Sequence, residues 1–365
     1  MKSASFARKA ISAVRTSFVV LFAALVIGSG APAGAQPKKA AAAVAISAVE
    51  VSARPLESYQ RGLAGTKTFG RLEFRGGLVL TSPDVRFGGF SGLIMASDGR
   101  SILAVSDQGH WLSAEIAYKG TAPRDIVKAR MGPILALNGR PLARKRDADA
   151  EEIALLSGTL KKGVALVAFE RNHRLARHTV VDGVLGRPTG LVALPPDARR
   201  MRSNSGLEAV TVIRGGTFRG AILALAEDFR DANDHHSGWL LGRGAPQRLA
   251  IKDIGGFALT GAAALDDGSV LILERRFRYT EGVRMRLRLI AADELKPGRV
   301  IDGETLIQSD MSYEIDNMEA IAVHKAPGGE TVITLMSDDN FNKFLQRNLL
   351  LQFTLQPRGA KSTSR

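Results

Sequence analysis

Short apolar runs alternate with glycine-marked turns along this chain in a pattern that recurs five times. In each copy an apolar triplet opened by a glycine or a glutamate leads through a glycine turn to a longer apolar run that ends on a carboxylate. Gly92-Leu93-Ile94 passes through Asp98-Gly99 to an apolar run closed by Ser106-Asp107. Glu152-Ile153-Ala154 passes through Lys162-Gly163 to a run closed by Glu170. Glu208-Ala209-Val210 leads in the same way through Gly215-Gly216 to Glu227. Gly261-Ala262-Ala263 leads through Asp267-Gly268 to Glu274, and Glu319-Ala320-Ile321 leads through Gly328-Gly329 to Asp338. Two apolar runs joined by a glycine turn predict a β-hairpin. No helical period of comparable length competes with it.

The leading positions 92, 152, 208, 261 and 319 lie 60, 56, 53 and 58 residues apart, room for one four-stranded sheet with its turns. That period predicts an all-β propeller. Further short apolar runs around residues 47–51, 72–74 and 78–80, and a last one at 349–355, predict terminal strands that meet in one blade and close the ring, removing its open edge. Residues 46–356 divided by a period of ~57 residues give between five and six blades. The reading adopted is six, one of them assembled from both chain ends, with five as the alternative.

Length and composition narrow the picture. A chain of 365 residues that is 45% hydrophobic can bury a large core, and a propeller of this size counts as one domain. With no cysteine, disulfides, thiol nucleophiles and Cys-ligated zinc are excluded. Lys2, Arg8, Lys9 and Arg15 precede an apolar stretch at 18–27 and a small-residue segment ending at Ala35, the pattern of a secretory signal over residues 1–35. A mobile spacer at 36–45, the propeller at 46–356 and a disordered tail at 357–365 complete the expected domain plan, with a periplasmic or secreted location and no membrane span after signal cleavage. Removing the leader's four basic residues from the formal charge of +14 leaves about +10 on the mature chain. A basic surface draws anions, so an anionic small-molecule substrate or ligand is the expected partner. Nucleic acid fits poorly with export and with 6% aromatic content.

The repeat also collects acids. Glu152, Glu208 and Glu319 open their inner strands, while Asp107, Glu170, Glu227, Glu274 and Asp338 close the next ones. If both sets reach the same channel mouth, up to eight carboxylates converge, and like charges that close cannot all stay ionised without compensation. A hard divalent cation held by oxygens, Ca²⁺ above all, is one solution. Arg171, Arg230, Arg275 and Arg276 stand beside these acids and offer another, ordinary ion pairing. The polar loops around Asp147, Asp149 and Glu151 and around Asp231 and Asn233 lack the glycine and final glutamate of an EF-hand, and read as Asx turns. The pair His235-His236 reads as a surface feature. No nucleophile elbow, P-loop or dinucleotide fingerprint is present, so no organic cofactor is expected.

Several motifs in order resemble one family. Phe90-Ser91-Gly92-Leu93 with Ser106-Asp107-Gln108-Gly109, Ser205-Gly206-Leu207-Glu208-Ala209, and Leu273-Glu274-Arg275-Arg276-Phe277 are similar to the secreted phytase-like domain described as "esterase-like activity of phytase". Asn317-Met318-Glu319-Ala320-Ile321 and Ser337-Asp338-Asp339-Asn340-Phe341 extend the likeness, which covers about residues 68–356. The resemblance implies a propeller, usually six-bladed, with calcium-dependent phosphomonoester hydrolysis. Asp107, Glu208, Glu274, Glu319 and Asp338 fall on its motif positions. Two other readings stand beside a metal-dependent phosphoesterase: a non-catalytic propeller that binds an anionic ligand or a protein, and a metal-dependent esterase or lactonase.

Overall fold

The computed structural model describes residues 45–203 and 205–358. The expected leader at 1–35, the expected spacer at 36–45 apart from residue 45, and the expected tail at 357–365 apart from residues 357 and 358 lie outside the described residues. What is described is all-β, with one short α-helix at Lys145–Ala148 and one 3-10 turn at Pro196–Arg200. No helix among the described residues is long and apolar enough to cross a membrane.

The strands form five sheets, and these are the blades of a propeller. Their innermost strands are Phe90–Met95, Ala150–Gly158, Leu207–Val212, Ala258–Ala264 and Asn317–Lys325, one per repeat. Each pairs antiparallel with the next strand in sequence, as the hairpin pattern predicts. The fifth inner strand also lies against the first, which closes the ring.

Five is therefore the blade count, the alternative weighed from the sequence and not the preferred six. The surplus strands at the chain's start do not open a new blade. Leu72–Thr81 pairs antiparallel with Asn348–Leu355, and Ser52–Leu56 pairs beyond it, so both chain ends complete the sheet of the fifth repeat. Ser47–Ala48 edges the first blade instead. Closure by terminal strands was legible in the sequence; assigning them to an existing blade was not.

Five apolar clusters hold the ring, one at each junction between neighbouring blades. Leu103 and Val105 pack with Ile153 and Val167 across the first and second blades, while their neighbours Ile102 and Ala104 face back toward Ala320, Met336 and Leu350 of the fifth. Strands sandwiched on both faces must be apolar on both, which is why the second strand of each repeat reads as a continuous apolar run rather than an alternating one. Glycine is needed where inner strands converge. A Cβ on Gly92 would lie 2.5 Å from the Ile153 nitrogen and 2.7 Å from the Glu152 Cα, inside contact distance.

Candidate functional site: a carboxylate ring at one channel mouth

Every inner strand carries an extra residue near its start. The register slips between Phe90 and Gly92, Ala150 and Glu152, Leu207 and Ala209, Leu259 and Gly261, and Met318 and Ala320. Such bulges leave one residue unpaired and turn it out of the ladder. The five bulged residues are Ser91, Glu151, Glu208, Thr260 and Glu319, three of them glutamates.

A second set stands beside them. One residue beyond the partner of each pre-bulge position come Asp107, Glu170, Glu227, Arg275 and Asp338, four acids and one arginine. Three are fixed by the same backbone bond. The N–H groups of Asp107, Glu170 and Glu227 donate to the carbonyls of Gly89, Asp149 and Gly206, the residues just ahead of the inner strands, at 2.9, 2.9 and 3.0 Å. At Gly89 a side chain is excluded, because φ is +67° and a Cβ would meet Asp107 Oδ1 at 2.2 Å.

Together with Asp149, eight carboxylates collect at this mouth: Asp107, Asp149, Glu151, Glu170, Glu208, Glu227, Glu319 and Asp338. Two triads are tight enough for one ion each. Carboxylate oxygens of Asp149, Glu151 and Glu170 lie within 4.8 Å of one another, as do those of Glu170, Glu208 and Glu227, so Glu170 belongs to both. Three cations oppose the acids. Lys145 Nζ bridges Asp107 at 2.6 Å and Asp149 at 2.5 Å, Arg171 pairs with Asp149, and Arg275 reaches Glu227 at 3.7 Å and Glu319 at 3.6 Å.

Eight acids against three cations leave an excess of negative charge, and the titration behaviour follows. Burial raises Glu170 to about 7, with Asp149 and Glu227 adding repulsion and the Gly206 amide opposing it. Burial likewise lifts Glu319 to about 7 against the pull of Arg275 and Asn317. Glu151, Glu208 and Asp338 are pushed well above the ordinary carboxylate range, by burial first and then by neighbouring acids. Asp107 is also raised by burial, with Lys145 opposing, and its Oδ1 is buried without a hydrogen-bond partner. An oxygen-rich, over-charged cluster with an orphaned carboxylate oxygen suits a hard divalent cation.

Of the eight acids singled out from sequence, six reach the mouth and two do not. Glu152 is one residue past its bulge, equivalent to Gly92, Ala209, Gly261 and Ala320 in the other blades. It is almost wholly buried, its Oε1 accepting the Ile153 N–H at 2.8 Å. Oε2 has no partner at hydrogen-bond distance, yet amides of Ala262, Val210 and Leu93 favour its ionised form against the larger effect of burial. Amides of four inner strands thus surround Glu152, which floors the mouth on the channel axis. Glu274 pairs in register with Leu259 inside the fourth blade and is clamped at 2.5 Å by both Arg286 and Arg288. The mouth position in that blade is the next residue, Arg275.

Two acids were missed. Asp149 and Glu151, read as an ordinary turn, belong to the mouth; the signal available was the adjacency of Glu151 to Glu152, with the bulge deciding between them. The Asp231 loop is the Asx turn expected, its Oδ1 accepting N–H groups of Asn233 and His235 at 2.8 and 3.0 Å. Of the histidine pair, His235 is partly exposed, but His236 is buried and not a surface residue, and burial lowers it to about 4. Arg230 and Arg276 pair elsewhere, with Asp228 and Asp253 and with Glu281.

Fold and site together define a five-bladed propeller with an acid-lined channel mouth. Residues 85–341 match the Phytase-like family, described as "Esterase-like activity of phytase", and the chain belongs to that family. No curated protein matches the chain. Among solved structures it is similar to the β-propeller domain of Myceliophteria thermophila Cps50 (Swd1), at 8% identity over 84% of this chain and 100% of that one, with a TM-score of 0.33.

Proposed function

We propose that this protein is an exported phosphoesterase that uses a divalent cation, Ca²⁺, to act on small anionic phosphomonoesters at the acidic mouth. The observation that carries the reading is the charge imbalance: eight convergent carboxylates against Lys145, Arg171 and Arg275. Unaided, such a mouth repels a phosphate. Glu170, shared by both triads, with Asp149, Glu151, Glu208 and Glu227, would hold the cation. A bound cation supplies neutralisation of substrate charge and Lewis acidity toward a phosphoryl oxygen. The chain's own contribution is positional and protonic. Arg275, already between Glu227 and Glu319, stands ready to orient an anion, and Glu319, held near 7, can accept or give a proton at neutral pH.

The test is calcium titration of the purified protein by calorimetry and melting, with Glu208→Gln and Glu319→Gln alongside, and a phosphomonoester assay with and without chelator. Saturable binding weakened in Glu208→Gln, with chelator-sensitive phosphate release, supports the proposal. Binding without hydrolysis leaves a cation-dependent binding propeller or an esterase of another substrate. No binding and no melting shift sinks the metal reading.

A further inference from the structure

Around the same mouth, the rim is uneven. The first two blades turn from second to third strand through short polar connections, Asp107-Gln108-Gly109 and Arg171-Asn172-His173, and the third through the Asx turn at Asp231. In the fourth and fifth blades the equivalent connections, and in the fourth the strand end before it, carry large apolar side chains into solvent. Tyr279 is 97% exposed, Phe344 94%, Leu345 72% and Phe277 54%. These two tips belong to one surface. Gly282, at the base of the first, packs against Met311, itself exposed. The segment that follows Met311 is tied to the base of the second tip, where Arg347 reaches Glu314 at 2.7 Å and Asp316 at 3.6 Å.

Scattered exposed apolar residues need no explanation, but an arc of them does. The charges on the arc say what covers it. On these three segments the exposed charged residues are Arg278 and Lys343, both cations, Arg278 keeping a 3.1 Å contact with Glu281 and Lys343 a 3.2 Å bond to the Ser82 carbonyl. The carboxylates there are turned in or paired: Glu281 with Arg276, Arg278 and Arg284, Glu314 with Arg347, and Asp316 and Asp339 buried. Aromatic and aliphatic tips with cations beside them fit the interface of an anionic lipid bilayer, where rings sit at headgroup depth and lysine or arginine meets phosphate.

We propose that the apolar arc of the fourth and fifth blades docks the propeller reversibly on an anionic lipid surface, with Tyr279, Phe344 and Leu345 entering the headgroup region and Arg278 and Lys343 contacting phosphates. Docking is off-axis, on one side of the mouth, and assumes nothing about the chemistry performed there. A few side chains and two cations give reversible, salt-sensitive attachment rather than stable anchoring.

The experiment is sedimentation of the purified protein with vesicles of phosphatidylglycerol and phosphatidylcholine against phosphatidylcholine alone, in chelator and in calcium. The wild-type protein should bind the anionic vesicles in chelator and lose binding as salt rises. Tyr279→Ser/Phe344→Ser/Leu345→Ser should lower binding about tenfold or more, and Arg278→Gln/Lys343→Gln several-fold. Circular dichroism and melting of each variant should match the wild type, since all five side chains are exposed. Absence of binding overturns the proposal. So does binding that requires calcium and ignores the tip variants, which would place lipid at the acid ring. Equal binding to neutral vesicles, or a concentration-dependent dimer that the triple variant abolishes in place of vesicle binding, overturns it in favour of another occupant of the arc.

Discussion

The two ends of the channel are built from the same five inner strands, and they differ in kind. At the acidic end each strand bulges, and the bulged residue together with the end of the next strand directs ten side chains toward one mouth. At the other end the same strands leave through hairpin turns, around a cavity of about 410 Å³ lined by Met95, Leu155, Val212, Leu265 and Val323 with Arg214, Lys325 and Asp266 at its edge. Its charges are few and mixed. Between the ends the five inner strands close in, and small residues such as Ala154 and Ala262 keep the channel narrow. In a regular strand alternate residues are committed to the cores between blades. The bulge releases one residue per blade from that commitment, and only where it occurs does the channel acquire a ring of chemistry.

The sharpest way to break this contrast is to compare acids that the sequence makes look alike. Glu274→Ala removes the buried partner of Arg286 and Arg288, which leaves two interior cations uncompensated and should cost about 3–5 kcal/mol in denaturant unfolding, with calcium binding intact. A large stability loss confined to this acid would confirm that one residue's difference in register separates structure from site. Glu170→Gln should do the reverse. As the acid common to both triads, it should weaken calcium binding by about 100-fold, ~2.7 kcal/mol by calorimetry, while the metal-free fold is unharmed. Arg214→Ala, at the far end, serves as the control that leaves binding unchanged.

The smallest effect is in pH, and its sign is fixed. Glu170 and Glu319 titrate near 7 in the folded chain and near 4.5 when unfolded, so between those values the native state holds protons that the unfolded state has lost. The contribution of these two acids to metal-free stability should therefore fall as pH rises from about 4.5 to 7; Glu151, Glu208 and Asp338 add to that fall, while His236 and His324, lowered by burial to about 4, oppose it below 6.5. Calcium needs the ionised forms, so its affinity should move oppositely, weakening as pH drops from 8 to 6. Melting curves with and without calcium across that range read both slopes; parallel slopes would mean the ion does not bind Glu170.

Much of this architecture was legible in the residues. Apolar runs such as 270–273 announced strands covered on both faces, and the pairing of early and late strands was visible from their isolation. The ring of acids was also visible, at Asp107, Glu170, Glu208, Glu227, Glu319 and Asp338. What the sequence hid was register. Aligning repeats on their acids set Glu152 beside Glu208, but a bulge is a backbone event with no residue signature, and it put Glu151 at the mouth and Glu152 beneath it. The same hidden step exchanged Glu274 for Arg275, and with it a ligand position for a cation. Asp149 escaped because its place depends on Lys145, in the turn before it, and on Arg171, which the antiparallel pairing of the first two strands of its blade brings alongside.

Ring closure by the two chain ends sets the order in which the molecule can be made. Leu72–Thr81 pairs early with Ser52–Leu56 but finds its inner neighbour only when Asn348–Leu355 exists, some 270 residues later. At ribosomal speeds of about 5–20 residues per second that is a wait of roughly 15–55 seconds. Throughout it, the early strand is an open sheet edge able to recruit strands from other chains. A nascent chain of this protein is therefore a natural client for a holding factor, until its final strand seals the circle.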